Sequence, residues 1–202
     1  MKPLLVSTKN PGKFLEITTA LRGMPFEFLF LKHFESEHPH DRGVFEEHFS
    51  TYEETAFQKA FFYAEAYNML TLADDSGIEV DALKGEMGVQ TRRWGKGEYA
   101  SDEEWIQHFL KTMSAFPHQR SARFVCATAV ANGKDIRVFI GEVYGVITHD
   151  LEAPIIPGLP LSSCFRPEGF LKVYAALAPE EKAQISHRGK ALFQTKKFLE
   201  TL

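Results

Sequence analysis

Apolar and polar residues along this chain form blocks that predict a mixed α/β protein. Short apolar runs of the kind that form buried strands occur at 4–6, 26–31, 123–131, 137–141 and 143–147. Apolar residues at helical spacing follow four residues that suit the start of a helix, namely Pro11, Thr51, Ser101 and Ser186. Asn132 and Gly133 lie between two of the apolar runs and predict a hairpin.

The segment 72–83 carries the clearest candidate chemistry. Asp74 and Asp75 follow a short apolar run, and from Ile78 onwards apolar and acidic residues alternate with the period of a strand. This pattern predicts that the acidic pair lies at a bend between two extended pieces. Adjacent carboxylates repel unless a cation or a proton relieves them, and Mg²⁺ takes carboxylate oxygens completed by water and phosphate. The alternative is an acidic turn, because Asp-Ser-Gly is ordinary turn chemistry.

Cations are found where two of the helices are predicted to begin. Lys9 and Lys13 flank the polar turn before the first helix, and His187 and Arg188 follow the predicted N-cap of the last. Cations are unfavourable at the positive end of a helix, whereas a phosphate bound there would favour them. Solvated lysines remain the alternative, since the Walker pattern is missing. Lys59, near the apolar face of another helix, is either a phosphate contact or a side chain that reaches water.

Composition excludes several classes of protein. The 202 residues are enough for one sizeable core, in one domain or two small lobes. A net charge of −4 argues against a general nucleic-acid binder. No signal peptide or membrane-length apolar run is visible, and the two cysteines fit neither a metal spacing nor a disulfide framework. We therefore expect a cytoplasmic protein without a membrane or nucleic-acid partner.

The four histidines of 33–49 predict a surface loop more than a zinc site.

Five motifs follow one another along the chain. They are T-x-N-x-x-K at 8–13, T-Y-E-E-T-A-F-Q-K-A at 51–60, A-D-D-S-G followed by V-D-A-L within 73–83, G-V with a later arginine within 88–93, and K-x-x-I-S-H-R-G at 182–189. In this order they resemble the motifs of the inosine/xanthosine triphosphate pyrophosphatases. The resemblance covers nearly the whole chain. It implies a Mg²⁺-dependent enzyme that hydrolyses non-standard purine nucleoside triphosphates, such as inosine or xanthosine triphosphate, to the monophosphate and pyrophosphate.

The resemblance also implies a fold and a set of site residues. The fold is α/β and elongated, with a long central mixed β-sheet flanked by helices and a substrate cleft between two lobes. Residues 1–202 would form one such pyrophosphatase domain, in a homodimer. The implied catalytic residues are Asp75 (the general base for a metal-activated water), Asp74 and Lys59, and the implied metal ligands are Glu54, Asp74 and Asp75. The implied substrate contacts are Thr8, Lys9, Asn10, Lys13, Ser76, Arg93, Lys182, His187 and Arg188.

The chain departs from the family pattern in one loop. Where the family has G-F-G-Y-D-P-x-F, residues 158–165 read G-L-P-L-S-S-C-F. Leu159 replaces the aromatic residue that stacks on the base, and Ser162 replaces the aspartate that reads it. The motifs that the family uses for phosphate and metal therefore match, whereas the loop that the family uses to bind the base differs. Two alternatives stay open: the same chemistry on another modified or standard nucleotide, and a catalytically weak nucleotide-binding protein.

Overall fold

The computed structural model describes residues 1–97 and 99–202, and a six-stranded mixed sheet forms its centre. The strands are β1 (Lys2–Val6), β2 (Phe26–Phe30), β3 (Thr71–Val80), β4 (Ser121–Asn132), β5 (Asp135–Ile147) and β6 (Phe165–Pro167). Their order is β2-β1-β3-β4-β5-β6, with β1 parallel to both neighbours and the pairs from β3 to β6 antiparallel. The expected mixed α/β fold is confirmed.

Helices flank this sheet, and their starts follow the sequence signals. They are α1 (Pro11–Ala20), α2 (Leu31–Glu37), α3 (Tyr52–Tyr67), α4 (Asp102–Met113), α5 (Pro179–Ile185) and α6 (His187–Leu199). Thr51, Ser101 and Ser186 each accept a hydrogen bond from a backbone N–H in the first turn, as N-cap residues do. In the described part of the chain, no helix combines the length and the apolar character that a bilayer crossing requires.

The helices pack on both faces of the sheet in separate hydrophobic clusters. On one face, α1 and α6 pack around Leu72, while α4 packs against the far half of β3, β4 and β5 around Phe109. On the other face, α3 uses Ala56 and Ala60 against alanines that include Ala73 of β3. These small side chains allow a close approach, which brings the polar residues of α3 beside β3.

The course of β3 corrects the prediction of a bend at the acidic pair. The strand is paired with β4 without interruption from Thr71 to Val80, and it passes straight through Asp74 and Asp75. Long-range pairing with β4 therefore overrides the local turn chemistry. Because successive side chains of a strand point to opposite faces, Asp74 faces α6 and Asp75 faces α3. The two carboxylates are placed in different electrostatic environments.

The histidine-bearing segment 33–49 is only partly the predicted surface loop. Its start belongs to α2, and the ring of His40 packs edge-on against Phe62 and Tyr67 of α3. Side-chain packing therefore holds the irregular residues that follow α2 against α3. No group of three or more potential metal-binding side chains gathers within residues 1–97 and 99–202.

The sheet opens beside the acidic pair. β1 pairs with β3 at only two positions, the second of which is Val6 with Leu72. After β1 the chain enters α1 and then β2, and β2 pairs with β1 on the side away from β3. In open α/β sheets, ligands bind outside the carboxyl ends of the strands, at the point where the order of the strands reverses direction. The opening between the end of β1 and β3 is such a point.

Candidate active site

A cavity of about 760 Å³ occupies this opening. Its walls come from the turn after β1, from β3 and α3, from the segment before α3, from the loop 158–162 and from the start of α6. Most of the predicted site residues line it, namely Thr8, Lys9, Asn10, Lys13, Lys59, Asp75, Ser76, Arg93, His187 and Arg188. Asp74 and Lys182 lie behind the wall, in contact with residues that line the cavity.

Asp74 is buried and held by two cations. Its Oδ2 lies 3.2 Å from Nζ of Lys13 and accepts hydrogen bonds from Nε and Nη2 of Arg188 at 3.2 and 3.1 Å. Burial alone would raise the pKa of this carboxyl, but Lys13 and Arg188 outweigh burial and hold the pKa well below its usual value. Asp74 is therefore a fixed anion that orients both cations.

Arg188 has most of its donors engaged inside the protein. Besides Asp74, its guanidinium donates to the carboxylate of Glu16 and, at 2.7 Å, to Oγ of Ser76. The side chain is about 2% exposed. These contacts tie the start of α6 to β3 and α1, and they leave the guanidinium little capacity for the contact with the base that the resemblance implies.

Asp75 lies on the opposite face of β3 in a different environment. Burial raises the pKa of its carboxyl to about 6, although Lys13 and Lys59 act in the opposite direction. A carboxylate with such a pKa is largely ionised at neutral pH and still basic enough to accept a proton. Neighbouring carboxyl groups whose pKa values are pushed apart are a frequent sign of acid–base chemistry. Asp75 is thus the group of this pair that is suited to proton transfer.

Glu47 is a cavity residue that the sequence analysis did not single out. Its Oε1 lies 2.5 Å from Nζ of Lys59, and its Oε2 accepts from Nη2 of Arg93 at 3.1 Å. Burial opposes ionisation of Glu47, yet Lys59 lowers the pKa of the carboxyl below its usual value. Glu54, the metal ligand implied by the resemblance, is instead exposed in the first turn of α3 and does not line the cavity. The irregular segment around Glu47 has no periodicity, so the sequence offered no signal for it.

Lys59 remains a cation despite its burial. Burial opposes the charge, but Glu47 and Asp75 outweigh it and keep the pKa of Lys59 above its usual value. Its Nζ also donates to the backbone oxygen of Asp74 at 3.3 Å. The ammonium group is therefore fixed at the edge of β3, beside Asp75.

The turn after β1 leads into the N-terminus of α1. Asn10 caps α1, with Oδ1 accepting from the backbone N–H of Lys13 at 3.0 Å, and Oγ1 of Thr8 accepts from the backbone N–H of Asn10 at 3.1 Å. A helix N-terminus that carries an adjacent lysine is suited to bind an anion. Lys9 is held differently, since its Nζ lies 2.5 Å from Glu35 of α2.

Comparison with known proteins identifies the origin of this arrangement. The model of the Ham1 family matches residues 4–198. The chain belongs to the Ham1 family. A protein from Oceanobacillus iheyensis named dITP/XTP pyrophosphatase is 35% identical over 204 residues and is covered over its full length, as is this chain. A protein of the same name from Geobacter sulfurreducens is 38% identical over 195 residues, which are 95% of this chain and 94% of that protein.

Solved structures of Ham1 proteins share the fold. A HAM1 protein from Coxiella burnetii matches with a TM-score of 0.81 at 30% identity and full coverage of both chains. The Ham1 protein of Staphylococcus aureus matches with a TM-score of 0.78 at 31% identity and 99% coverage of each chain. The family resemblance drawn from the five motifs is confirmed.

In this Ham1 protein, the loop 158–162 and the residues beside it give the cavity a largely apolar wall. His187 stacks on Phe124 with ring centroids 4.5 Å apart, and burial, reinforced by Arg188, lowers the pKa of His187 well below its usual value, so the ring is neutral. Leu159 and Ser162 line the cavity here. Behind them, Lys182 donates to Oγ of Ser162 at 3.1 Å, and its Nζ lies 2.5 Å from the Glu16 carboxylate. This ion pair leaves Lys182 less free to bind a base.

The acidic residues of this Ham1 site fit a magnesium ion. Oδ1 of Asp74 is a buried oxygen without a hydrogen-bond partner, and Asp75 and Glu47 both line the cavity. Mg²⁺ is usually bound by one or two carboxylates together with substrate phosphates and water, so it does not require a dedicated cluster of three protein ligands. Asp75 is the residue placed to hold such an ion. Glu47 lines the same cavity, but its two oxygens are paired with Lys59 and Arg93. Asp74 lies on the opposite face of β3.

Proposed function

We propose that this chain hydrolyses nucleoside triphosphates to a nucleoside monophosphate and pyrophosphate, with Mg²⁺ as cofactor and non-standard purine nucleotides as substrates. The observation that carries the proposal is the separation of Asp74 and Asp75 into a fixed anion and a proton acceptor, beside Lys13 and Lys59. The names of the relatives support the substrate class, since both are called dITP/XTP pyrophosphatases.

In the proposed reaction, Asp75 accepts a proton from a water molecule while the water oxygen forms a bond to the α-phosphorus. The bond from the α-phosphorus to the bridging oxygen breaks, and pyrophosphate leaves. Lys13 and Lys59 offset the negative charge that develops on the phosphoryl oxygens. When bound, Mg²⁺ would neutralise phosphate charge and polarise the reacting group. The turn at Thr8 and Asn10 would hold the triphosphate in line with Asp75.

The alternative of a pure nucleotide-binding protein is less well supported. A binding site for an anionic phosphate chain gains nothing from a buried carboxylate such as Asp75, which opposes the ligand's charge unless it serves a metal or a proton transfer. The alternative of another base is supported by a specific observation, because Leu159 and Ser162 form the wall where a purine would stack.

We expect the selectivity for the base to be modest. Loss of an aromatic stack costs roughly 1–3 kcal/mol per base, and loss of a charge-assisted hydrogen bond costs about 1.5–3 kcal/mol. Mg²⁺-dependent pyrophosphate release should therefore show less than about a thousandfold preference in kcat/KM for inosine or xanthosine triphosphate over guanosine or adenosine triphosphate. Leu159→Phe should increase that preference, while Leu151→Phe, at an exposed site, serves as the control.

One result would contradict the modest selectivity, and another would contradict the proposed hydrolysis. A wild-type preference of a thousandfold would show that Leu159 and Ser162 do not weaken selectivity. Binding of nucleotides without turnover of any triphosphate in the panel would favour the binding protein.

We also propose that residues 1–202 act as one catalytic unit in a homodimer. One sheet running through the chain and a family match over 4–198 support the single unit. Exposed apolar side chains support the dimer: Ile140, Tyr144 and Val146 on the face of β5 that turns toward α3, and Phe57 and Phe61 on α3 itself. Light scattering should give twice the chain mass of 22.9 kDa, and a single chain mass would contradict the dimer.

A cytoplasmic location is proposed for the same protein. Both cysteines are free, buried thiols, and burial raises the pKa of Cys126 to about 12. Free thiols are ordinary in a reducing compartment. Fractionation of the source cells would test the location, and recovery outside the cytoplasmic fraction would contradict it.

A further inference from the structure

The loop 158–162 is held at one residue, Gly158, whose two flanking peptide groups each make a hydrogen bond to a side chain. The carbonyl oxygen of Gly158 accepts from Nδ2 of Asn10 at 2.8 Å, and the N–H of Gly158 donates to Oδ2 of Asp102 at 2.6 Å. Asn10 is the N-cap of α1, and Asp102 is the first residue of α4. We call these two hydrogen bonds the Gly158 tether.

The two helices joined by the tether belong to different parts of the core. α1 packs through Ile17 in the cluster around β1 and α6. α4 packs through Trp105 and Phe109 in the cluster at the far half of the sheet. The tether therefore connects the turn after β1, which contains Asn10, to the start of α4 in the other core cluster.

The backbone conformation and the surroundings of Gly158 suit only a glycine. Its φ is +77°, and a Cβ at this position would lie 2.4 Å from Oδ1 of Asn10. A side chain is thus excluded on both conformational and steric grounds. The next residues, from Leu159 to Ser162, line the cavity. The position of Gly158 consequently sets the position of the wall that residues 159–162 form.

We propose that Asp102 is a positioning residue for the reaction. It does not line the cavity, but it holds the loop 158–162 in place from the side of α4, while Asn10 holds the loop from the side of the turn after β1. A nucleoside triphosphate must contact both the loop and the turn, so displacement of the loop on loss of Asp102 weakens its binding. Inorganic tripolyphosphate contacts only the turn and the lysines. The proposal rests on the proposed function for the identity of the ligand.

Asp102 has two other features that the experiment must separate from the tether. As an acidic residue in the first turn of α4 it favours the helix, yet Glu103 and Glu104 share that role, and Ser101 with Glu104 forms a complete capping box. Its Oδ1 also lies 3.8 Å from Nη1 of Arg92. Asp102→Asn keeps an oxygen acceptor for Gly158 while removing the charge, and Glu103→Ala removes only an exposed first-turn acid.

The test compares Asp102→Ala, Asp102→Asn and Glu103→Ala in the full chain. Asp102→Ala should raise KM for inosine triphosphate about tenfold, the usual effect of losing one hydrogen bond to a charged group, with kcat changed far less. Its affinity for tripolyphosphate with Mg²⁺ should stay unchanged, and hydrogen exchange in 156–163 should accelerate. Asp102→Asn should restore most of the lost affinity, and Glu103→Ala should match the wild type.

Several results would overturn the proposal. They are an unchanged KM in Asp102→Ala, an equal loss in Glu103→Ala, or an equal loss of tripolyphosphate affinity. If Asp102→Ala does not fold, Asp102→Ser replaces it, because a serine hydroxyl suits a helix start but is too short for the tether. If the wild type hydrolyses no triphosphate, the proposed function fails. The tether is then judged by hydrogen exchange and by affinity for the α,β-methylene analogue of inosine triphosphate.

Discussion

Asp75→Asn should lower kcat by about a hundredfold or more, the usual size of a general-base contribution, while the fold is retained. Asparagine has nearly the same shape but cannot accept the proton of the attacking water. The buried site tolerates a neutral group, because burial is what raises the pKa of Asp75. Steady-state kinetics with inosine triphosphate and Mg²⁺ would measure the effect. Asp81→Asn, at an exposed acid just after the same strand, is the matched control. A near-normal kcat in Asp75→Asn would remove this residue from the mechanism.

The same substitution should increase stability. The pKa of Asp75 is about 6 in the folded protein, against 3.8 for an ordinary aspartate such as the one in the unfolded chain. The folded protein therefore binds this proton more tightly than the unfolded chain does. Stability from this group is therefore present below pH 4 and is lost as the pH rises through 6. In a metal-free buffer at pH 8, Asp75→Asn should raise the free energy of unfolding by on the order of 2 kcal/mol. A lower thermal midpoint than the wild type would contradict the assigned environment.

Arg188→Met should produce the largest loss of stability. Arg188 is fully enclosed and donates to Asp74, Glu16 and Ser76. Removing one partner from a buried ionic cluster costs about 3–5 kcal/mol, because the remaining charges lose their compensation. For a chain of this size the thermal midpoint should fall by roughly 10 °C.

The control for Arg188 is an arginine in an exposed pair. Arg22 lies 2.9 Å from Glu180, with both side chains more than half exposed. Arg22→Met should cost less than about 1 kcal/mol. Equal losses in the two variants would mean that the cluster around Asp74 adds no more stability than a surface ion pair. Calorimetry of both proteins at one pH measures the difference directly.

Local signals in the sequence pointed to two residues of the cavity. Lys13 and Lys59 were candidate phosphate contacts because one is beside a helix N-terminus and the other is near an apolar helix face, and both line the cavity. Helix starts such as Thr51 and Ser186 were predictable because a cap is a local interaction.

Interactions between distant segments account for what the sequence did not reveal. The bend predicted at Asp74 and Asp75 was wrong because pairing with β4, some fifty residues later, keeps β3 straight. Glu47 is held in the cavity by ion pairs with Lys59 and Arg93. The irregular segment around Glu47 contains no pattern that predicts these ion pairs. The engagement of Arg188 by Asp74 and Glu16 likewise depends on contacts that span most of the chain.

The direct test of the central claim is the fate of oxygen from water. Inosine triphosphate is incubated with the wild-type protein and Mg²⁺ in ¹⁸O-labelled water, and the products are analysed by mass spectrometry. If Asp75 directs water to the α-phosphorus, one labelled oxygen will be found in inosine monophosphate, and the pyrophosphate will be unlabelled. Label in pyrophosphate, or release of orthophosphate with the diphosphate, would contradict the account.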